Sequence, residues 1–180
     1  MTATMSPFQR ILGPSFEDLA EPVRRLHSME TPTLATGLAD IDVARGLMPW
    51  LICWLAGLPK SGRDVPVSVE FRPDGNGGEH WVRHFAARRY ASSFSAEPRT
   101  GATKLVERFG PFRLDFRLRT ISEGLIWLLV GVRCIGITVP SWAVPKVTCL
   151  ESSDGNRYRF NIRAALPGIG PLICYRGWLS

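Results

Sequence analysis

The sequence predicts a mainly β (α+β) fold: an antiparallel curved sheet of about eight to ten strands, forming a barrel or half-barrel, with two or three helices in the N-terminal half. Three observations predict it. From residue 64 onward apolar and polar side chains alternate with period two, as in "DVPVSVEFR" (64–72) and "FRLDFRLRT" (112–120). Turn chemistry punctuates these runs at "PDGNGG", "FGPF" and "SDGN", where glycine and asparagine accept positive φ. No helical period recurs between the strands, which argues against a parallel sheet of βαβ units.

The elements follow in order. "SPFQRILG" (6–13) reads as a short helix capped by Ser6, with Pro7 at its first position and Gly13 closing it. "SFEDLAEPVRRLHS" (15–28) repeats the pattern: Ser15 is a cap candidate, Glu17 and Asp18 suit the positive helix end, and Pro22 breaks or restarts the run. Leu19, Val23 and Leu26 share one side of it. "LATGLADIDVARG" (34–46) is the first strand, alternating through Leu38, Ile41 and Val43 with one irregularity. "LMPWLICWLAGLP" is an apolar helix near 47–57, ended by Gly57 and Pro59. The next strand sets Val65, Val67, Val69 and Phe71 on one face. "EHWVRHFAARRYASSFS" (79–95) is one bent strand or two, and "KLVERFG" turns at Gly110-Pro111 into "FRLDFRLRT". "GLIWLLVGVRCIGI", the proline-bounded "VPSWAVPK", "SSDGNRYRFNIRAAL" and "PGIGPLICYRGWLS" complete the chain.

A chain of 180 residues fits a single domain, 1–180, with a helical lead-in (1–30) packed on a β-rich body (35–180). With 45% apolar and 21% charged residues and a net charge of +6, the composition is that of an ordinary globular protein. The arginines are scattered along strands, which marks a solvated outer face rather than a binding run. In "RYRFNIR" the aromatics alternate away from the arginines, so no nucleic-acid partner is expected. Cys53, Cys134, Cys149 and Cys174 form no CxxC pair and read as reduced thiols of a cytoplasmic protein. No secretory signal opens the chain, and residues 124–144 carry Arg133 and Pro140, so a membrane span is not expected.

"FQRILGPSFEDLAEPVRRLHS", "DVPVSVEFRPDGNGGEHWVRHF", "KLVERFGPFRLDFRL" and the terminal "LICYRGWLS", in this order, resemble the bacterial domain-of-unknown-function 4166 family. That family occurs alone or as the C-terminal part of proteins whose first part resembles saccharopine dehydrogenase. This chain has no Gly-rich nucleotide fingerprint and is similar to the free-standing form. The resemblance implies a domain compatible with a metabolic enzyme as neighbour, and carries over no catalytic residue.

The residues that draw attention are charges of the wrong parity. Glu107 shares its strand face with Leu105 and Phe109, and Arg83 shares its face with Trp81 and Phe85. A lone buried charge costs several kcal/mol. Opposite charges on two inward faces therefore invite an Arg83–Glu107 pair, unless a bulge flips one strand. Tyr158 and Tyr175 alternate inward beside Phe160 and Ile173. His80 and His84 share a face opposite Arg83, too far apart along a strand for metal without a third ligand, and His27 ends a helix where a cation is favoured. No GxSxG elbow, zinc-hydrolase or phosphate-loop motif is present. No cofactor and no metal is expected.

The leading expectation is a cavity that binds a hydrophobic or amphipathic small molecule. Arg83, Trp81, Phe85, Phe109, Tyr158 and Tyr175 are the candidate ligand contacts. The alternative is a cofactor-independent isomerase or cyclase acting on a biosynthetic intermediate, with Glu107, Arg83 and Tyr175 as candidate catalytic residues. A third reading is an interaction or dimerisation domain, with a second copy packed on the apolar helix and on 124–137.

Overall fold

The structure is a computed structural model that describes residues 5–28, 31–55, 57–98, 103–122 and 124–180. Its strands are β1 (Thr33–Val43), β2 (Gly62–Pro73), β3 (Glu79–Phe85), β4 (Arg88–Glu97), β5 (Lys104–Phe109), β6 (Phe112–Ile121), β7 (Gly124–Cys134), β8 (Ile137–Thr138), β9 (Lys146–Asp154), β10 (Arg157–Leu166) and β11 (Gly170–Leu179). Every pairing is antiparallel. β6 pairs with β7, β7 with β9 and β1 with β11, so ten strands close on themselves, while the two-residue β8 hangs on the edge of β7. The expected curved sheet is therefore a full barrel, which leaves no long edge exposed.

The alternation read from the sequence sets the inner face. On β2, Val67, Val69 and Phe71 are buried, and on β6 Phe116 is buried while Arg117 and Arg119 face water. A bulge on the β6–β7 pairing at Asp115/Phe116 brings in one extra residue of β7 without flipping that face. On β1 the outcome differs from the expected set. Ala35, Ala39 and Ile41, all of one parity, are the buried positions, so the strand alternates without the expected irregularity and Leu38 lies on the other face; the shift between Ala39 and Ile41 is in the pairing with β2. The segment 79–95 is two strands, turned at Ala86 with φ +47. In the turn after β2 the Asp74 carboxylate accepts from the backbone N–H of Asn76 and Gly78, both at 2.8 Å.

Three short helices occupy the ends. α1 (Pro7–Leu12) carries the expected cap as a reciprocal pair: Gln9 N–H donates to Ser6 Oγ (3.2 Å) and Ser6 N–H to Gln9 Oε1 (2.8 Å). The helix expected from Ser15 does not form. Residues 13–16 make a 3₁₀ turn, and α2 (Glu21–His27) begins after Ala20 with Pro22 in its first turn, where a missing N–H costs nothing. α1 packs on β4, β5 and β6, and α2 on β9 and β10. Phe8 is fully buried, with its ring 5.2 Å from Trp127 and 5.9 Å from Trp81. Both tryptophans face inward, so the N-terminal helices plug one end of the barrel. Burying the Phe8 side chain contributes about 1.5–3 kcal/mol to holding that plug.

α3 (Leu47–Leu55) joins β1 to β2 at the opposite end and packs on β1 and β11. Its Cys53 is buried, as is Cys149 on β9, whereas Cys134 and Cys174 are half-buried, and none of the four is in a disulfide. No helix among the described residues is long and apolar enough to cross a membrane.

Candidate functional site

A closed ring of ten strands is wider than the eight-stranded barrel that side chains just fill. Here the inward residues leave a cavity of about 370 Å³. Its wall is mostly apolar, from Val67 and Phe71 on β2 through Phe116, Trp127, Phe160 and Ile173, and Ile52 and Leu58 of the α3 segment close it at the mouth. All seven residues proposed from sequence lie on this wall: Trp81, Arg83, Phe85, Glu107, Phe109, Tyr158 and Tyr175. His80 is exposed and His84 half-exposed on the outer face of β3. Among the described residues no cluster of three His, Cys, Asp or Glu side chains is placed to hold a metal ion.

The polar groups fall into two sets. In the first, Arg83 on β3 and Glu107 on β5 face each other across β4, Nη1 to Oε1 at 3.5 Å, each side chain 13% exposed. The same Nη1 donates to Ser92 Oγ at 2.6 Å. The guanidinium carbon lies 4.8 Å from the Trp81 ring, 5.3 Å from Tyr90 and 5.4 Å from Phe94. Burial works against the charge of Arg83, but Tyr90, Glu107, Tyr175 and Tyr158 together offset it, so its pKa is raised and it stays a cation. Both hydrogen bonds use Nη1, so among the described residues Nε and Nη2 keep their donors for another partner. Tyr90 and Tyr175 lie beside it, and burial holds both phenols above their ordinary range. Phe85 packs against both, its ring 6.1 Å from Tyr90 and 5.7 Å from Tyr175.

The second set lies at the plugged end. His27 is the last residue of α2, as expected. It is fully buried, with Nε2 2.7 Å from Glu151 Oε2. The Tyr158 hydroxyl donates to Glu151 Oε1 at 2.6 Å. A carboxylate only accepts, so His27 presents Nε2–H to it. Burial, then the neighbouring Glu151, drives the Tyr158 pKa well above that of a free phenol. Behind them Trp81 Nε1–H donates to Glu79 Oε2 at 2.8 Å, and burial raises the pKa of Glu79. His27 Nδ1, Glu79 Oε1 and Trp127 Nε1 are buried without a partner among the described residues. Glu151 and Tyr158 reach the cavity wall, and the ring of His27 stacks on Phe8 at 3.8 Å behind them.

Glu79 and Glu151 were missed from the sequence although their signal was there. Glu79 has the parity of Trp81 and Arg83, and Glu151 that of Cys149, the same anomaly that exposed Glu107. Tyr90 and Ser92 lie on the inward face of β4, opposite Arg83 and Trp81 respectively.

No curated protein and no solved structure matches the chain. A family model described as Domain of unknown function (DUF4166) does match, over residues 19–179, and the chain belongs to that family.

Proposed function

We propose that this barrel binds one hydrophobic or amphipathic small molecule carrying an acidic group. The observation that carries this reading is the apolar cavity of about 370 Å³ with, among the described residues, a single buried guanidinium on its wall. That volume falls within the range of small-molecule pockets. The apolar body of the ligand is received by the residues from Val67 to Ile173, and its acid by the Nε–Nη2 edge of Arg83, a planar donor pair suited to a carboxylate. Glu107 and Ser92 hold Nη1 and leave that edge turned to the ligand.

Native mass spectrometry of freshly purified protein tests the reading, together with displacement of a fluorescent fatty acid. A retained apolar acid and competitive displacement are expected. Arg83→Met should weaken the fluorescent acid roughly 10–150-fold, the worth of a charge-assisted hydrogen bond, and leave a neutral analogue within a few-fold. Equal loss of both probes overturns the role of Arg83, and no binding of any apolar probe overturns the function.

The His27–Glu151–Tyr158 chain favours a second reading, proton transfer on the bound molecule in the manner of a cofactor-independent isomerase. Glu151 and Tyr158 touch the cavity and His27 orients the carboxylate from behind. Exchange of a ligand carbon-bound proton with deuterated solvent, abolished by Glu151→Gln, is its signature. Retention of ligand without exchange leaves the barrel as a binder.

A further inference from the structure

α3 is apolar on every side, a pattern that belongs to a buried helix. Only part of it is covered. Ile52 and Leu58 close the cavity and Cys53 is buried, yet Trp50 and Trp54 are more than half exposed, their rings stacked 6.3 Å apart one turn from each other. Leu47 on the same helix, Ile135 and Ile137 at the β7–β8 hairpin and Trp142 beyond it are each at least 74% exposed. Strand direction sets all of these at one end. β1 and β7 finish there and β2 and β9 begin there, opposite the end plugged by α1 and α2.

The charge at this end is equally one-sided. Its five connections, residues 44–61, 86–87, 110–111, 135–145 and 167–169, contain no aspartate or glutamate. They carry Arg45 and Lys60, and the adjoining strand ends add Arg88, Arg89, Arg133 and Lys146. Of the acids on the adjoining strands, Asp40 and Asp42 are within reach of Arg63, Glu107 faces Arg83 inside the barrel, and Asp64 lies near the start of β2. The other end holds Glu17, Asp18, Glu21, Asp74 and Asp154.

We infer that the mouth of the barrel docks on the surface of an anionic lipid bilayer, with α3 and the β7–β8 hairpin set into the interface. Exposed tryptophans and aliphatic residues supply the buried apolar area, and tryptophan is the side chain best suited to the headgroup boundary. The ring of basic residues without acids matches the negative surface potential, and each contributes about fivefold to affinity near such a surface. The charge complementarity selects a membrane over a second copy of this chain, because two such mouths would bring like charges together. The docked face is also the one at which Ile52 and Leu58 of the α3 segment close the cavity, so an apolar ligand released past α3 would pass between bilayer and barrel without crossing water. Docking itself does not depend on what the cavity holds.

Flotation of the full chain with vesicles tests this, using phosphatidylcholine alone and phosphatidylcholine mixed in equal parts with phosphatidylglycerol. Binding is expected to the anionic vesicles and to fall with salt. Lipids brominated in the acyl chains should quench tryptophan emission of the unaltered protein, a readout that needs no variant. Lys60→Glu/Arg89→Glu/Lys146→Glu should weaken binding at least ~100-fold, and Trp50→Ser/Trp54→Ser should abolish quenching. A cavity-filling Cys149→Phe variant separates this inference from the function proposed above: it should lose the fluorescent fatty acid and still float. No flotation with anionic vesicles, flotation indifferent to the mouth variants, or concentration-dependent self-association through Trp50 and Trp54 in place of vesicle binding each overturns the inference.

Discussion

Nε2 of His27 sits 2.7 Å from Oε2 of Glu151, and neither side chain reaches water. The two residues are 124 positions apart, so this contact ties the N-terminal plug to the barrel wall. Removing one partner leaves the other buried without its hydrogen bond, at about 1–3 kcal/mol or more. His27→Ala and Glu151→Gln should each lower the urea midpoint strongly, and His27→Ala more so because it also strips the ring that stacks on Phe8. The double variant should show a coupling of about 0.5–3 kcal/mol. Additive losses would show that the plug is held by apolar packing alone.

Glu79 predicts an unusual pH dependence. Its pKa is raised, first by burial, with His27 and the Trp81 N–H pulling the other way. A carboxyl with a folded pKa above its unfolded one binds more protons in the folded state. Its contribution to stability is then full at pH values below the ordinary glutamate range and is lost as pH rises through the folded pKa. Glu79→Gln removes that loss while keeping an acceptor for Trp81. Urea midpoints measured at pH 4 and pH 7 should fall less for the variant than for the natural chain across that interval. Parallel profiles would mean that Glu79 is ionised at no cost in the folded state.

What was legible follows from the range of the forces involved. Strand faces were, because a period of two is a local pattern that packing only reinforces, as at Val67, Val69 and Phe71. The Arg83–Glu107 pair was legible for the same reason, since two parities and one energetic argument sufficed. The cavity was not legible as a volume, because it depends on how many strands close the ring. The place of His27 was hidden further, since its partner lies on β9 and helix propensity says nothing of which end of a barrel a helix enters. Ser15 misled because a good cap was read ahead of a proline, whereas Pro22 in a first turn starts the helix itself.

The Arg83–Glu107 pair predicts effects of opposite sign on ligand affinity. Glu107 lies at the long separation of 3.5 Å from the guanidinium, and under the proposed function its charge would oppose that of a ligand acid there. Glu107→Gln should therefore tighten an anionic amphiphile several-fold, while Arg83→Met weakens it. On stability the two act alike: each leaves a half-satisfied polar group, at about 1–3 kcal/mol. The double variant Arg83→Met/Glu107→Gln should recover much of that loss. Titration of a fluorescent fatty acid and thermal melting of the same three variants check both. Weaker anion binding in Glu107→Gln would mean that the acid contacts the ligand directly.

The barrel closes where its first and last strands meet, and two glycines permit that approach. A Cβ on Gly177 of β11 would stand 2.2 Å from the Leu38 carbonyl oxygen and 2.9 Å from Ala39 Cα, and one on Gly37 of β1 would stand 1.8 Å from the Trp178 carbonyl oxygen. These neighbours are backbone and cannot swing aside, so the strands must part. Gly177→Ala should cost about 1–3 kcal/mol or more, and Gly37→Ala at least as much. Gly131→Ala on β7 is the matched control. Its Cβ would meet nothing closer than 3.7 Å, and its melting temperature should hardly move. The loss should be local as well as global. Amide exchange should quicken first along β1 and β11, whose pairing completes the ring and joins residues farthest apart in the chain. Uniform quickening over all ten barrel strands would instead show that the ring opens as one unit, with no weakest seam between β1 and β11.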